Sequence, residues 1–143
     1  MKLSGAIRRP SAIWPIESAL WILKETILVL HDRLIADFGG SPGVRDAGLL
    51  DSALARPANL FAYETPAAFE LAACYGFGLI QNHPFVDGNK RIGFASAILF
   101  LELNGCRLHA EQRDATEKTL ALASGTSAES EYAAWIETNA AVA

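Results

Sequence analysis

Asn82-His83-Pro84-Phe85-Val86-Asp87-Gly88-Asn89-Lys90-Arg91-Ile92-Gly93-Phe94-Ala95 is the stretch on which the fold turns. One apolar helical pattern runs into it and another runs out. Pro84 disfavours helix at His83, so the first helix ends there. Gly88 admits backbone angles that other residues avoid and Asn89 is a good N-cap, so a second helix is expected from about Lys90. The first amides of that helix have no carbonyl to bond and face back at the turn, where they can hold an anion. A turn joining two core helices has ordinary uses for Pro, Asp, Gly and Asn. It does not need an imidazole, a carboxylate and a Lys-Arg pair within nine residues. The pattern reads as a phosphate cradle with a base beside it.

Upstream, Thr65-Pro66 marks a helix start, and Phe69, Ala72, Ala73, Phe77 and Ile80 make the helix from Pro66 to about Gln81 apolar nearly all round. It is expected to be the central buried helix. The one after the turn, about Lys90 to Asn104, carries Phe94, Ala97, Ile98 and Leu101 and stops at Asn104-Gly105. Leu20, Leu23, Ile27, Leu30 and Leu34 recur at three- and four-residue steps, which predicts a helix from about Ile16 to Asp37 with His31 at the edge of its buried stripe. Gly39-Gly40-Ser41-Pro42-Gly43 breaks it. Asp46 then caps a short helix, about Ala47 to Ala55, ended by Arg56-Pro57; Arg45 and Asp46 read as fold-stabilising. Arg56 to Thr65 reads as a loop. Arg113 to Ala123 is a further helix, and Thr126 with Glu129 forms a capping box for a last one bearing Tyr132, Trp135 and Ile136 on one face. Residues 1–15 read as an irregular arm with room for one short strand at Ala12-Ile13-Trp14, and 16–143 as one domain. Since no stretch alternates at period two for long, the expected fold is all-α: a single bundle of about six helices, the active-site loop lying between two central ones.

The 143 residues are 51% hydrophobic and 20% charged, which fits one domain with a real core. A net charge of −4 argues against wholesale binding of nucleic acid or an anionic membrane. The longest apolar run, Phe94 to Leu101, is far short of a span. Cys74 and Cys106 sit in apolar patterns without metal-like spacing, so free thiols in a reducing cytoplasm are expected.

Moving phosphate to a hydroxyl requires a base for the departing proton and fixed positive charge around the phosphate. His83 is the candidate base because imidazole titrates near cellular pH. Asp87 suits a Mg2+ ion bridging nucleotide phosphates, or else serves as a turn residue bonded to nearby amides. Gly88 and Asn89 offer backbone amides, with the Asn89 side chain as a further donor; Lys90 and Arg91 offer cations. Cations in a first helical turn cost about 0.3–1 kcal/mol each unless an anion offsets them, which favours a binding role for both. Phe85 reads as the anchor of the loop to the core. There is no P-loop, no zinc spacing among the His and Cys residues, and no Gly-x-Ser-x-Gly elbow.

His83-Pro84-Phe85-Val86-Asp87-Gly88-Asn89-Lys90-Arg91 resembles the signature of the Fic/Doc (Fido) superfamily, most closely its Doc, or death-on-curing, branch of toxins. The likeness extends to Gly39-Gly40-Ser41-Pro42-Gly43-Val44-Arg45-Asp46, to Leu50-Asp51-Ser52-Ala53-Leu54-Ala55-Arg56-Pro57 and to Leu101-Glu102-Leu103-Asn104-Gly105. Longer Fic signatures have glycine at the place of Lys90 and a second arginine at that of Phe94. Both serve AMP transfer, so their replacement favours the Doc pattern. The resemblance implies a toxin of a toxin–antitoxin pair that uses ATP and Mg2+ to phosphorylate a Ser/Thr hydroxyl, with elongation factor Tu as target. Within that reading His83, Asp87 and Arg91 are catalytic, and Gly88, Asn89, Lys90 and Arg91 bind the nucleotide. It implies a separate antitoxin, because Ser127 to Glu131 has the spacing of a fused inhibitory helix but is followed by Tyr132. It also implies a flap beside the site within 56–65. AMP transfer and a catalytically silent binding module are the rival readings.

Overall fold

Two helices that meet through glycine form the axis of the molecule. They are α3 (Ala68–Asn82) and α4 (Asn89–Leu103), and the computed structural model describes residues 18–143 around them. A Cβ on Gly93 would lie 2.7 Å from Ile80 Cγ1 and 3.0 Å from the Gly76 carbonyl oxygen. Glycine inside a helix costs about 1 kcal/mol relative to alanine, so its presence here is offset by the close approach it permits. The core built on this pair includes Leu71, Leu79, Phe85, Ile92, Phe100, Leu101 and, from later helices, Leu122, Tyr132 and Ile136.

Four more helices surround the axis: α1 (Lys24–Phe38), α2 (Ala47–Tyr63), α5 (Gln112–Ser124) and α6 (Glu129–Asn139). Among the described residues this gives the expected all-α bundle of six helices. A small antiparallel ribbon joins β1 (Cys106–Leu108) to β2 (Ala140–Val142), with Arg107 opposite Ala141. Strands of three residues are too short for a period to register in the sequence. The arm 1–15 and the strand at Ala12-Ile13-Trp14 fall outside the described residues.

Several boundaries differ from the sequence reading, each through a tertiary contact. The first helix begins at Lys24, not Ile16. Before it, the side chain of Asn104 accepts from Leu20 N (2.9 Å) and donates to Leu20 O (3.1 Å), while Ile22 N donates to the Tyr75 hydroxyl (3.2 Å). Those bonds hold the segment extended and leave Leu20 and Leu23 exposed. The buried stripe of α1 is therefore Ile27, His31 and Ile35, rotated from the predicted one, and His31 lies inside the core. The helix expected to stop at Ala55 continues to Tyr63, so most of the predicted 56–65 loop is helical. Pro57 lies inside it and gives the Ala53 carbonyl no helical N–H; that carbonyl packs against Gly78 of α3, where a Cβ would sit in ordinary contact 3.4 Å from the oxygen. Asp46 caps α2 as expected, accepting from Leu49 N at 2.9 Å. The last capping box is displaced: Glu131, not Glu129, accepts from the backbone, at Ala128 N (2.7 Å), and Glu129 instead pairs with Arg56 (2.9 Å).

Cys74 and Cys106 are buried, and burial pushes the Cys74 thiol up to about 11. Gly93→Ala is expected to destabilise the fold by about 1–3 kcal/mol through overpacking against backbone, read as a lowered urea midpoint at unchanged slope.

Candidate active site at the α3–α4 turn

His83 caps the C-terminus of α3 in the left-handed conformation, φ 52° and ψ 52°, the one non-glycine residue among those described with positive φ. The turn is held from outside by the segment before α2. Arg45 Nε donates to His83 O (2.7 Å) and a terminal guanidinium nitrogen to Asn82 O (3.1 Å). The amides of Arg45 and Asp46 both donate to Pro84 O (2.7 and 3.0 Å), and Val86 N donates to Gly43 O (3.0 Å). The imidazole of His83 is left exposed, on the wall of a cavity.

From inside, the turn is held by Asn89. Its carboxamide oxygen accepts from Phe85 N (2.9 Å) and its nitrogen donates to Phe85 O (3.0 Å). The residue is buried, and one of the two donors of its amide is thereby engaged with the loop. Asn89 is not the N-cap: Gly88 holds that position at φ 73°, and Asn89 opens the helix. Phe85 is buried and its ring stacks on that of His31, centroids 3.8 Å apart at 12°. Nε2 of His31 lies 2.8 Å from the Asp87 carbonyl. A carbonyl only accepts, so that nitrogen carries the proton. The backbone of the turn is thereby fixed at Phe85 and at Asp87.

Asp87 Oδ1 accepts from Gly88 N (2.8 Å) and Oδ2 from Ser41 N (3.2 Å). Gly40 is needed beside it, since a Cβ there would meet Oδ2 at 2.8 Å. Those two N–H bonds hold the carboxyl below its usual range, and Arg91 adds to the effect. Arg91 donates to Gly39 O (3.0 Å) and lies over the Phe38 ring at 5.7 Å. Lys90 is exposed. The first amide of α4 bonded to a carbonyl is that of Ile92, to Gly88 O (2.9 Å). Those of Asn89, Lys90 and Arg91 precede it and have no helical acceptor.

The cavity encloses about 730 Å³, within the range of small-ligand sites. His83, Asp87, Gly88, Asn89, Lys90 and Arg91 form one end; Phe38, Phe94, Ile98, Leu108 and Leu120 make much of the rest apolar. Gln112, Thr116 and Thr119 of α5 add polar atoms. No group of three His, Cys, Asp or Glu able to hold a metal occurs among the described residues. A divalent ion here would have the Asp87 carboxylate as its protein ligand, with phosphate and water oxygens as the others, which suits Mg2+.

The model of the Fic/DOC family matches residues 21–101, more than half of the chain. The chain is 46% identical over 76 residues to Toxin Doc of Mycolicibacterium smegmatis, covering 52% of this chain and 58% of that protein. It is 38% identical over 88 residues to Protein kinase doc of Escherichia phage P1, covering 61% and 70%. This chain belongs to the Fic/DOC family. It thus spans little more than half the length of the first relative and somewhat over two thirds of the second.

The seven sequence-predicted site residues from His83 to Arg91 lie together at the turn; Phe85 is the one outside the cavity lining, and the Asn89 carboxamide is bonded to its backbone. Sequence reading placed His31 at a stripe's edge and Arg45 among fold-stabilising residues without finding the bonds of either to the turn, and it gave no task to the Gly40-Ser41 backbone. The i, i+4, i+8 register of Ile27, His31 and Ile35 was the available signal for the first.

His31→Phe keeps a ring against Phe85 but removes the donor to Asp87 O. The expected outcome is a loss of about 1–3 kcal/mol, with faster amide exchange at residues 85–88 than elsewhere. Because the Asp87 pKa is lowered on folding, its ionised form stabilises the turn above the ordinary carboxylate range, near about pH 4, and this stabilisation fades as pH falls through the lowered value. Thermal midpoints scanned from about pH 6 to 2.5 should fall less on the acid side in Asp87→Asn than in the parent, and an identical slope would refute the assignment.

Proposed function

We propose that this chain is the toxin of a type II toxin–antitoxin pair and acts as a protein kinase, transferring phosphate from ATP to a Ser or Thr hydroxyl of another protein. The observation that carries the reading is that the exposed His83 and the first turn of α4, whose leading amides have no helical acceptor, line one cavity. Those amides would take phosphate oxygens, with Lys90 and Arg91 supplying positive charge. His83 would accept the proton of the target hydroxyl as its oxygen bonds to the transferred phosphorus and the bridge to the departing ADP breaks. Asp87 would hold a Mg2+ ion, which would supply charge neutralisation; the protein's share is a carboxylate whose ionised form two backbone amides favour.

Phosphate transfer is preferred to AMP transfer because Phe94, where longer Fic signatures carry an arginine, lines the cavity and packs near Trp135, centroids 6.4 Å apart. That wall is apolar where a second cation would grip the nucleotide. The names of the two relatives, a toxin and a protein kinase, support the same reading. By resemblance the target is elongation factor Tu, the outcome arrest of translation in the cytoplasm, and the partner a cognate antitoxin. No helix among the described residues is long and apolar enough to cross a membrane.

Incubation with ATP, Mg2+ and a bacterial lysate, followed by intact-mass analysis of the modified protein, is expected to find one added phosphate. His83→Ala should abolish both the modification and growth arrest on expression. An added AMP would replace the kinase reading with the adenylyltransferase one, and arrest that persists in His83→Ala would remove the enzymatic reading altogether.

A further inference from the structure

We infer that Arg45 is a positioning residue for the base, its guanidinium holding His83 in the left-handed conformation that places the imidazole at the cavity. This rests on the reading of His83 as the proton acceptor. A non-glycine residue is strained in that conformation, so contacts from outside the helix are needed to hold it. At a helix C-terminus the last carbonyls also lack amide partners. Arg45 answers both requirements, taking His83 O at 2.7 Å and Asn82 O at 3.1 Å with two nitrogens of one planar group. The backbone amide of the same residue takes Pro84 O at 2.7 Å, so one residue grips three successive carbonyls, 82 to 84. A cation at this end of α3 also complements the helix dipole.

Alternative uses for this arginine find no support. It is absent from the residues that line the cavity, so it is no phosphate ligand. Ion pairs among the described residues join Lys24 to Asp51, Arg33 to Asp37 and Arg56 to Glu129, and none involves Arg45. What its side chain bonds is the backbone of His83 and its neighbour. Lysine would keep the charge but could not span two carbonyls with a rigid fork.

The test uses the full chain as parent, Arg45→Gln and Arg45→Lys. Backbone NMR of His83 (its amide–Hα coupling and Cα shift) reads φ directly, and steady-state transfer at varied ATP reads kcat and KM. In Arg45→Gln, the left-handed signature of His83 is expected to disappear and kcat to fall by a factor on the order of 10 to 100, with KM for ATP unchanged, since misplacing a reacting group by about 1 Å costs that much. Arg45→Lys should recover part of kcat and guards against simple failure of Arg45→Gln to fold. Retention of the left-handed signature in both variants would overturn the inference, as would an equal rise in KM with unchanged kcat. If the parent itself transfers nothing, the function proposed above fails, while the NMR measurement still decides the role of Arg45.

Discussion

The carboxamide of Asn89 closing on both backbone atoms of Phe85 is the constraint on which the rest of the site depends. Two hydrogen bonds from one buried side chain turn six residues of irregular chain into a fixed bend between helices. A buried amide left half satisfied would cost about 1–3 kcal/mol, so the bend and the packing of Phe85 stand or fall together. With Phe85 seated, its ring supports His31, and His31 in turn fixes the Asp87 carbonyl. The first turn of α4 is aimed by this chain of contacts.

A division of labour follows along the motif. Residues of the string that face outward, His83, Asp87, Lys90 and Arg91, carry charge or protons, whereas buried Phe85 and the Asn89 carboxamide bonded to its backbone carry the shape. Arg45, Gly40 and Ser41, distant in sequence, complete the outward set by holding its backbone and its carboxylate. Glycine is used where the chain approaches too closely for a side chain: at Gly40 against Asp87, and at Gly88, whose Cβ would meet Ile35 and His31.

The helices on either side of the turn were legible because their apolar residues surround them and because Pro84 and Gly88 punctuate the chain. What escaped was everything decided by long-range bonds. Leu20 and Leu23 fit the helical spacing of Ile27, yet Asn104, 84 residues from Leu20, pulls that segment straight. Pro57 signalled a helix end, but the helix runs on through it, with Ala53 packed against Gly78 of another helix. Asn89 had the right identity for a cap and a different task, since a side chain's reach back to Phe85 is invisible until the bend exists. His31 read as an edge residue because the stripe was drawn through the leucines, one position off the true register.

The notch at Pro57 and Gly78 has a bearing on the chemistry that its location does not suggest. At Gly78 the missing side chain lets α2 approach α3 through Ala53 and Arg56. Asp46 lies seven residues before Ala53 and His83 five after Gly78, roughly 10 Å and 8 Å along their axes at 1.5 Å per residue. A shift of that α2–α3 contact along the helices would carry the guanidinium past its carbonyls without touching a single residue of the turn.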